Sequence, residues 1–331
     1  MNVPIPFTIT NRMLSLLTKI EVNKTLFQAI EISPKIVTNL KRQSLLKSSV
    51  FSAKIEGNSL SLPDFEQEGK TDDTLYERQE IENIINALDY LQDKSLPNTI
   101  DETFLLKLHA MVLNKLVHAS KAGVLRKEPS AIFNQDGIVV YMPPPPSEIP
   151  ELLNKLLYVV NNKNDLITPI HAFLIHITFE KIHPFLDGNG RVGRLLTQAL
   201  LAKDNYHFNW LTSFEELLNQ RKSTYYTLLD QSDATEFIEF MLEILLEESE
   251  TLKKRLQLYT NPVEEDYLLP RRREIVDIIK DQTMVSLNQI QRRFLKVPAR
   301  TLRYDVAQLE KQGFIRKIGT TRGALYTMKK K

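Results

Sequence analysis

Apolar residues recur at three- and four-residue spacing along much of the chain, which is the period of helices that bury one face. Only 10 glycines occur in 331 residues, and this scarcity also favours helix. The clearest stretches predict helices at 80–91, 102–116, 149–161, 170–182, 193–203 and 236–258. The pattern therefore predicts a mainly α protein.

The helical pattern is interrupted between residues 126 and 146. Two β-prone runs, at 131–133 and 138–141, flank a turn that contains Asp136-Gly137, a pair typical of tight hairpin turns. Four consecutive prolines follow at 143–146, and they cannot extend a hydrogen-bonded ladder. We therefore predict one β-hairpin in this part of the chain.

The amino-acid composition limits the classes of protein to which the chain can belong. The chain is long enough for two or three structural units, and 42% of its residues are hydrophobic. It has no cysteine, which excludes disulfides, thiolate metal sites and a cysteine nucleophile. The first residues lack the pattern of a secretory signal, and no apolar run reaches membrane-spanning length. We therefore expect a cytoplasmic protein that makes no membrane contact.

Charge is distributed unevenly between the two ends of the chain. Residues 270–331 contain 16 Lys and Arg and 5 Asp and Glu, a net charge of +11, whereas residues 1–269 carry −9. A basic terminal unit suggests a polyanionic partner, with nucleic acid as the first candidate. Residues 261–266 have the composition of a linker between the two parts.

Chemistry concentrates in one run of twelve residues between two helical patterns: His183-Pro184-Phe185-Leu186-Asp187-Gly188-Asn189-Gly190-Arg191-Val192-Gly193-Arg194. Glycines around Asn189 let backbone N–H groups converge on an anion, and the following helix places its positive end behind them. Arg191 and Arg194 share a helix face and can both reach phosphate oxygens. Asp187 offers a hard carboxylate for Mg²⁺, and His183 can remove a proton from a hydroxyl. These residue types favour phosphoryl-group transfer, and the alternative is a structural turn with solvated arginines.

This run resembles the signature of the Fic family, His-x-Phe-x-Asp-Gly-Asn-Gly-Arg-x-x-Arg, at every fixed position. The resemblance implies a Fic-type helical core that uses ATP and Mg²⁺ to transfer AMP to a Ser, Thr or Tyr hydroxyl of a target protein. It implies that His183 is the general base, that Phe185 packs beneath the loop and that Asp187 holds Mg²⁺. The implied ATP-binding residues of the run are Asp187, Gly188, Asn189, Gly190, Arg191, Val192, Gly193 and Arg194.

Within that set, the resemblance implies that Asn189 and the glycine amides bind the α-phosphate. It implies that Arg191 binds the β-phosphate and Arg194 the γ-phosphate. A relative that phosphorylates has Lys at the position of Gly190, so Gly190 favours adenylyl transfer.

Nearer the N-terminus, Ser52-Ala53-Lys54-Ile55-Glu56-Gly57-Asn58 resembles the inhibitory motif of the same family. Ser52 and Glu56 are four residues apart on one helix face, and Gly57 is suited to end a helix. The resemblance implies that an inhibitory helix at about 45–58 presents Glu56 to Arg194 in a bidentate pair, so that the arginine is withheld from ATP. In some relatives this glutamate instead helps water to remove AMP, so AMP removal stays open.

Two further segments complete the expected nucleotide site. The predicted hairpin resembles the family's flap, whose ATP-side strand would be Ser130, Ala131, Ile132 and Phe133, although a plain surface hairpin is the alternative. Tyr225 and Tyr226 resemble the paired tyrosines that flank the adenine. The alternative is that these two residues belong to the core and to its rim.

In the basic tail, the pattern predicts helices at 271–280, 287–294 and 298–312, followed by strands at 314–317 and 324–328. That order is typical of a winged helix-turn-helix module. Residues suited to contact DNA are Arg300, Thr301 and Arg303 near the start of the third helix and Arg322 at the wing tip. Protein docking and dimerisation are alternatives, since winged helices also serve these functions.

The sequence thus predicts an N-terminal helical region (1–100), a Fic core (101–260) and a winged-helix domain (261–331). We expect an autoinhibited protein adenylyltransferase, with self-modification as a side reaction. One alternative is a DNA-binding regulator whose Fic core only senses nucleotide, although a sensor needs no base at His183. Another is a Fic enzyme that uses a different donor or removes AMP. Homodimers are common among similar proteins, so the resemblance makes a homodimer possible, while the sequence itself does not indicate the oligomeric state.

Overall fold

The computed structural model describes residues 1–30, 32–66, 74–93, 96–133, 139–163, 165–259, 268–295, 297–319 and 323–329. The protein is 68% helical, so the prediction of a mainly α fold is confirmed. The turn expected at 134–137 and the linker expected at 261–266 lie outside the described residues.

The first part of the chain consists of helices and one hairpin. Its described helices are α1 (Asn11–Ala29), α2 (Pro34–Ile55), α3 (Leu62–Glu66), α4 (Leu75–Asp93), α5 (Glu102–Val112), α6 (Ile149–Asn161), α7 (Thr168–Ile182), α8 (Asn189–Lys203), α9 (Phe214–Gln220), α10 (Lys222–Leu229) and α11 (Thr235–Tyr259). The hairpin pairs β1 (Ile132–Phe133) with β2 (Val139–Tyr141) in antiparallel register, with a bulge after Ile132. The hairpin is thus present where the β-prone runs predict it.

Helix α7 lies at the centre of this part, because every one of its residues except Glu180 is buried. A helix that is apolar on all sides must be surrounded by other elements, and α7 packs against α6, α8, α10 and α11. Residues 183–188, which we call the motif loop, join α7 to α8. The loop is therefore held between the two most buried helices of the protein.

One continuous hydrophobic core extends from Ile5 to Leu256. Helices α2 and α4 contribute Leu40, Val50, Ile81 and Leu88 to this core. The expected border near residue 100 therefore does not separate two cores, and the N-terminal helices pack as part of the same unit.

The C-terminal part has a second core, which runs from Leu268 to Ile315. Its elements are α12 (Pro270–Gln282), β3 (Val285–Ser286), α13 (Leu287–Arg293), α14 (Ala299–Lys311), β4 (Ile315–Ile318) and β5 (Leu325–Met328). The three strands form an antiparallel sheet in the order β3-β5-β4. The order of helices and strands agrees with the sequence-based expectation and adds β3, while the assignment as a winged helix stays a prediction.

Helix α12 packs directly on α2, the helix that carries the expected inhibitory residues at its other end. Arg42 of α2 pairs with the buried Glu274 of α12 at 3.3 Å, and its guanidinium also lies over the ring of Phe294. Burial raises the pKa of Glu274 to about 7, against the opposing charge of Arg42. The C-terminal part is therefore in contact with the helix that leads to Ser52 and Glu56.

Of the helices that the structure describes, none combines the length and the apolar character needed to cross a membrane.

Candidate active site

His183 lies where α7 ends, in the left-handed backbone conformation with φ 50° and ψ 60°. Its Nδ1 is 3.2 Å from the carbonyl oxygen of Glu180. Because a carbonyl can only accept, Nδ1 carries the proton and Nε2 of the neutral ring is unprotonated. Burial lowers the pKa of His183, and the charge of Arg126 acts in the same direction. His183 is therefore a neutral base at physiological pH.

Buried side chains hold the motif loop on the side that faces the protein interior. Asn189 donates from Nδ2 to the carbonyl of Phe185 and accepts on Oδ1 from the N–H of Phe185, both at 2.9 Å. The ring of Phe185 stacks on His109 with centroids 3.9 Å apart, and His109 Nε2 donates to the carbonyl of Asp187. The structure places Phe185 beneath the loop as expected, whereas the side chain of Asn189 is committed to the loop. An anion at this loop would therefore be bound by backbone N–H groups rather than by the Asn189 amide.

Arg126 connects the motif loop to the residues around the hairpin. Its Nε donates to the carbonyl of His183 at 2.7 Å, and its Nη2 donates to the carbonyl of Pro144 at 2.5 Å. Its backbone N–H donates to Pro184 at 3.0 Å. A single arginine thus fixes the chain entering the hairpin, the chain leaving it and the base-bearing turn.

The hairpin itself lies next to the end of α7, because the hydroxyl of Tyr141 donates to the carbonyl of Lys181 at 2.9 Å. Ser130, Ala131 and Ile132 are half-buried on the approach to and within β1. Phe133 closes this strand. The four residues predicted to line the ATP-side strand are therefore beside the motif loop, and their contact with a nucleotide stays a prediction.

Arg191 is buried on α8, with only 4% of its surface exposed. Its Nη1 donates to Glu80 of α4 at 2.5 Å, and its Nη2 donates to Asp187 at 2.7 Å. Asp187 also accepts from the backbone N–H of Gly188. The sequence predicts Arg191 at the phosphate site, but it gives no sign of the carboxylate on α4.

Arg194 is more deeply buried, at 2% exposure, and α2 holds it. Its Nε donates to the hydroxyl of Ser52 at 3.0 Å and its Nη2 to the Ser52 carbonyl at 2.9 Å. Its Nη1 lies 2.8 Å from Oε1 of Glu56, in an ion pair that lacks aligned hydrogen-bond geometry. Burial acts to lower the pKa of Arg194, but Glu56, Tyr225, Tyr226 and Glu180 together outweigh it, and the pKa is raised.

The expected bidentate pair between Glu56 and Arg194 is therefore wrong in its geometry. One guanidinium nitrogen faces Glu56, because the other two are already occupied by Ser52. The helix at this position is also longer than the expected inhibitory helix at 45–58, since α2 runs from Pro34 to Ile55 and Glu56 caps it. Gly57 follows in the left-handed region at φ 106°, where glycine is favoured, and turns the chain away.

Two glycines of α8 make room for carboxylates. A Cβ at Gly190 would clash with Oε1 of Glu56, and a Cβ at Gly193 would clash with Oε1 of Glu180. Val192 lies on the opposite side, in the hydrophobic core, so its side chain is directed away from the site. Small residues at 190 and 193 thus allow two acidic side chains to approach the helix that carries the arginines.

Glu180 is an acid that the sequence did not single out, and although the residue is partly exposed, one oxygen of its carboxyl group is enclosed. Its Oε1 is inaccessible to solvent and has no hydrogen-bond partner among the described residues. Burial, together with the nearby charge of Glu56, raises the pKa of Glu180 to about 8. Glu180 therefore holds a proton at neutral pH.

The two tyrosines of α10 differ in position. Tyr225 is only 1% exposed, and its hydroxyl is 2.7 Å from Nε2 of His176 in the core. Tyr226 is 39% exposed and donates to the carbonyl of Ile55, at the end of α2. The two tyrosines therefore lie as in the alternative interpretation, with Tyr225 in the core and Tyr226 at its rim. In this structure Tyr226 has an exposed ring surface for an adenine, and Tyr225 does not.

A divalent cation would find one protein carboxylate here. The Asp187 side chain is 51% exposed, beside the α8 N-terminus where phosphate oxygens would gather. In the described part of the chain, no group of three or more acidic or histidine side chains could hold a metal alone. A single carboxylate that shares the ion with phosphates and water fits the usual preference of Mg²⁺.

The predicted DNA-contact residues lie on the C-terminal part, away from this site in sequence. Arg300 and Arg303 are exposed on α14, and Thr301 is half-buried. Arg322 lies outside the described residues. Not every basic residue of this part is available to a partner, because Arg271 and Arg272 pair with the buried Asp305.

Comparison with known proteins places the motif in a family. Residues 99–201 match the model of the Fic/DOC family. The chain is 27% identical over 258 residues to "Protein adenylyltransferase Fic" of Drosophila sechellia and, equally, of Drosophila melanogaster. These alignments cover 73% of the chain and 48% of the relatives, so the chain spans about half the length of the curated relatives it matches.

Solved structures share the fold. A Fic family protein from Desulfovibrio desulfuricans superposes over 98% of both chains with a TM-score of 0.67 and 22% identity. Fic-1 from C. elegans covers 74% of this chain and 73% of its own, with a TM-score of 0.61 and 20% identity. The motif lies within the matched residues 99–201, and the shared fold agrees with this match, so this part of the chain is similar to the Fic/DOC family.

Proposed function

We propose that this protein transfers AMP from ATP to a Ser, Thr or Tyr hydroxyl of a target protein. The observation that carries the proposal is the meeting of a neutral base, an anion-binding helix start and two buried arginines. His183 is held with its unprotonated nitrogen available, and α8 begins six residues later with Arg191 and Arg194 behind it. A site with these groups suits a reaction in which a hydroxyl attacks a phosphate.

In the proposed reaction, the target hydroxyl attacks the α-phosphorus of ATP. The new O–P bond forms as the bond between the α-phosphorus and the bridging oxygen breaks, and pyrophosphate leaves. His183 Nε2 takes the hydroxyl proton. Backbone N–H groups of the motif loop and α8 bind phosphate oxygens, while Arg191 and Arg194 balance the charge of the outer phosphates. Mg²⁺ held by Asp187 would neutralise phosphate charge when bound.

We also propose that the enzyme restrains itself. Ser52 and Glu56 occupy the nitrogens of Arg194 that a γ-phosphate would need. ATP can then bind only without its full set of partners for the outer phosphate. Release of Glu56 from Arg194 would restore them.

The test is incorporation of label from α-labelled ATP with Mg²⁺, into the protein itself and into a cell lysate. The variants are wild type, Glu56→Gly and Glu56→Gly/His183→Ala. We expect weak labelling of wild type, strong labelling with Glu56→Gly, and none with the double variant. No label in any variant, despite measured ATP binding, would contradict AMP transfer and favour a nucleotide sensor or a different donor.

A second function is suggested for the C-terminal part by the exposed Arg300 and Arg303 at the start of α14. Basic side chains there suit phosphate and base contacts in duplex DNA. This candidate is compatible with the enzyme and does not replace it. Cytoplasmic location and a homodimeric state stay predictions.

A further inference from the structure

Glu80 is the one acidic side chain from outside the motif that bonds to Arg191 in the described structure. It lies on α4 at 6% exposure, 111 residues before its partner. Its Oε1 accepts from Arg191 Nη1 at 2.5 Å, and its Oε2 accepts from Asn58 Nδ2 at 2.7 Å. Both carboxylate oxygens are therefore used, one toward the motif and the other toward the segment that follows Glu56.

Because Glu80 and Arg191 are both buried, their ion pair requires well-formed hydrogen bonds. Burial raises the pKa of Glu80, and the charge of Arg191 opposes that rise. An ion pair with neither partner exposed is destabilising unless its hydrogen bonds are well formed. Asn58, itself 8% exposed, supplies the further donor that the carboxylate of Glu80 needs. The three side chains thus form a connected network with little freedom to rotate.

A guanidinium presents its N–H groups in a rigid planar fork, so fixing one nitrogen orients the others. Glu80 fixes Nη1 from the α4 side, which leaves Nη2 directed to Asp187 and the motif loop. Without Glu80, Nη1 of Arg191 would also be free to turn toward Asp187, the residue of the motif loop to which Nη2 already donates. That turn would draw Arg191 away from the phosphate position and would engage more of the carboxylate proposed for Mg²⁺.

We infer that Glu80 is a positioning residue for the nucleotide's β-phosphate: it holds Arg191 at the angle at which the guanidinium can bind ATP or ADP. The inference rests on the proposed function, which assigns the phosphates to α8. Asn58 links this arrangement to the segment that carries Glu56. Both arginines of the motif are therefore held by residues from the N-terminal helices, Arg194 through Ser52 and Glu56 and Arg191 through Glu80.

The test compares three nucleotides, because AMP lacks the phosphate that Arg191 would bind. All variants carry Glu56→Gly, so that the inhibitory side chain does not obscure binding. Affinities for ATP, ADP and AMP are measured by calorimetry with Mg²⁺. The proteins compared are the parent, in which Glu80 is unchanged, and its Glu80→Gln and Glu80→Asp variants. We expect Glu80→Gln to weaken ATP and ADP about tenfold, a usual effect of removing a residue that orients a ligand, and to leave AMP unchanged. Glu80→Asp keeps the charge and should recover part of the loss.

The matched control is Glu77→Gln, one turn earlier on α4. Glu77 bonds to Ser59 near the surface and does not bond to Arg191. The Glu77→Gln substitution should leave the affinities for ATP, ADP and AMP unchanged. In a kinetic assay, Glu80→Gln should raise KM for ATP more than it lowers kcat, since the base and its turn are intact.

Equal weakening of ATP, ADP and AMP would overturn the inference, because it would indicate general damage to the site. Unchanged affinities would overturn it as well. If Glu80→Gln does not fold, as judged by its thermal transition, Glu80→Asp carries the same comparison. A selective loss of ATP and ADP binding in a protein that transfers no AMP would support Glu80 and contradict the proposed reaction, so the two failures are distinguishable.

Discussion

Ser52→Ala tests how α2 restrains Arg194. Ser52 is 3% exposed, and its hydroxyl accepts from Arg194 Nε at 3.0 Å while its carbonyl accepts from Nη2. Alanine removes the hydroxyl, adds no atoms and keeps the carbonyl contact. It also favours helix slightly more than serine, so α2 itself is not weakened. The change therefore removes one hydrogen bond from a buried guanidinium and leaves Glu56 in place.

The size of the effect follows from the charge on Arg194. A hydrogen bond to a charged group contributes about 1.5–3 kcal/mol to stability. A difference of ~1.4 kcal/mol changes an equilibrium constant tenfold. If α2 leaves Arg194 when inhibition is relieved, the bond stabilises only the inhibited state, and its loss should raise the population of the released state about 10- to 100-fold. We expect basal AMP incorporation to rise by about that factor, and to remain below that of Glu56→Gly.

The assay is the initial rate of label transfer from α-labelled ATP at matched protein concentration. Ser52→Thr keeps a hydroxyl at the same position and should stay near the wild-type rate. A wild-type rate for Ser52→Ala, beside a high rate for Glu56→Gly, would refute the reasoning. It would mean that the Glu56 side chain moves alone while Ser52 stays bonded to Arg194.

Three other outcomes are expected. Because burial lowers the pKa of His183 below its ordinary value of 6.5, the acid limb of the transfer rate of Glu56→Gly should be centred below that pH. An acid limb centred above 6.5 would contradict this. Burial raises the pKa of Glu180 from 4.5 to about 8, so its contribution to stability is fully present below pH 4.5 and is lost as pH rises to about 8. The stability of Glu180→Gln relative to wild type, measured by thermal unfolding, should therefore increase over that interval, by at most about 5 kcal/mol. A difference in stability that stays constant with pH would argue against a buried proton. The double variant Arg300→Ala/Arg303→Ala should bind duplex DNA more weakly and with a smaller salt dependence, as measured by gel shift at several salt concentrations. Absence of binding by the wild-type protein at low salt would exclude this function.

The motif could be predicted from the sequence because its groups are contiguous. One loop and one helix start place His183, Asp187 and Arg191 within twelve residues, and their order is specific. The helices with a strong apolar face were also predictable: α6 has the expected bounds of 149–161, and α11 differs from expectation by one residue at each end. Such elements depend on local pattern, which the sequence contains directly.

The partners of the arginines could not be predicted in the same way. Glu80 lies in a helix that the pattern predicts at 80–91, but nothing local indicates that one of its acidic residues turns inward. Glu180 sits in an apolar helix and reads as a surface residue of α7, although the space above Gly193 receives its carboxyl group. Helix α1 was not predicted, since its buried positions form only a narrow stripe among polar residues. These features depend on tertiary packing, which local spacing does not encode.

The contacts proposed to restrain transfer also stabilise the fold. Arg191 and Arg194 are almost fully buried, and a buried charge without a partner is strongly destabilising. In the structure, carboxylates of Asp187, Glu80 and Glu56 provide that partner from three different elements. Phosphates of a bound nucleotide would bring negative charge to the same guanidinium groups. Under the proposed mechanism, a nucleotide and Glu56 compete for one buried positive charge, that of Arg194. Glu80 can stay bonded to Arg191 in both states, because it holds the nitrogen on the side of α4.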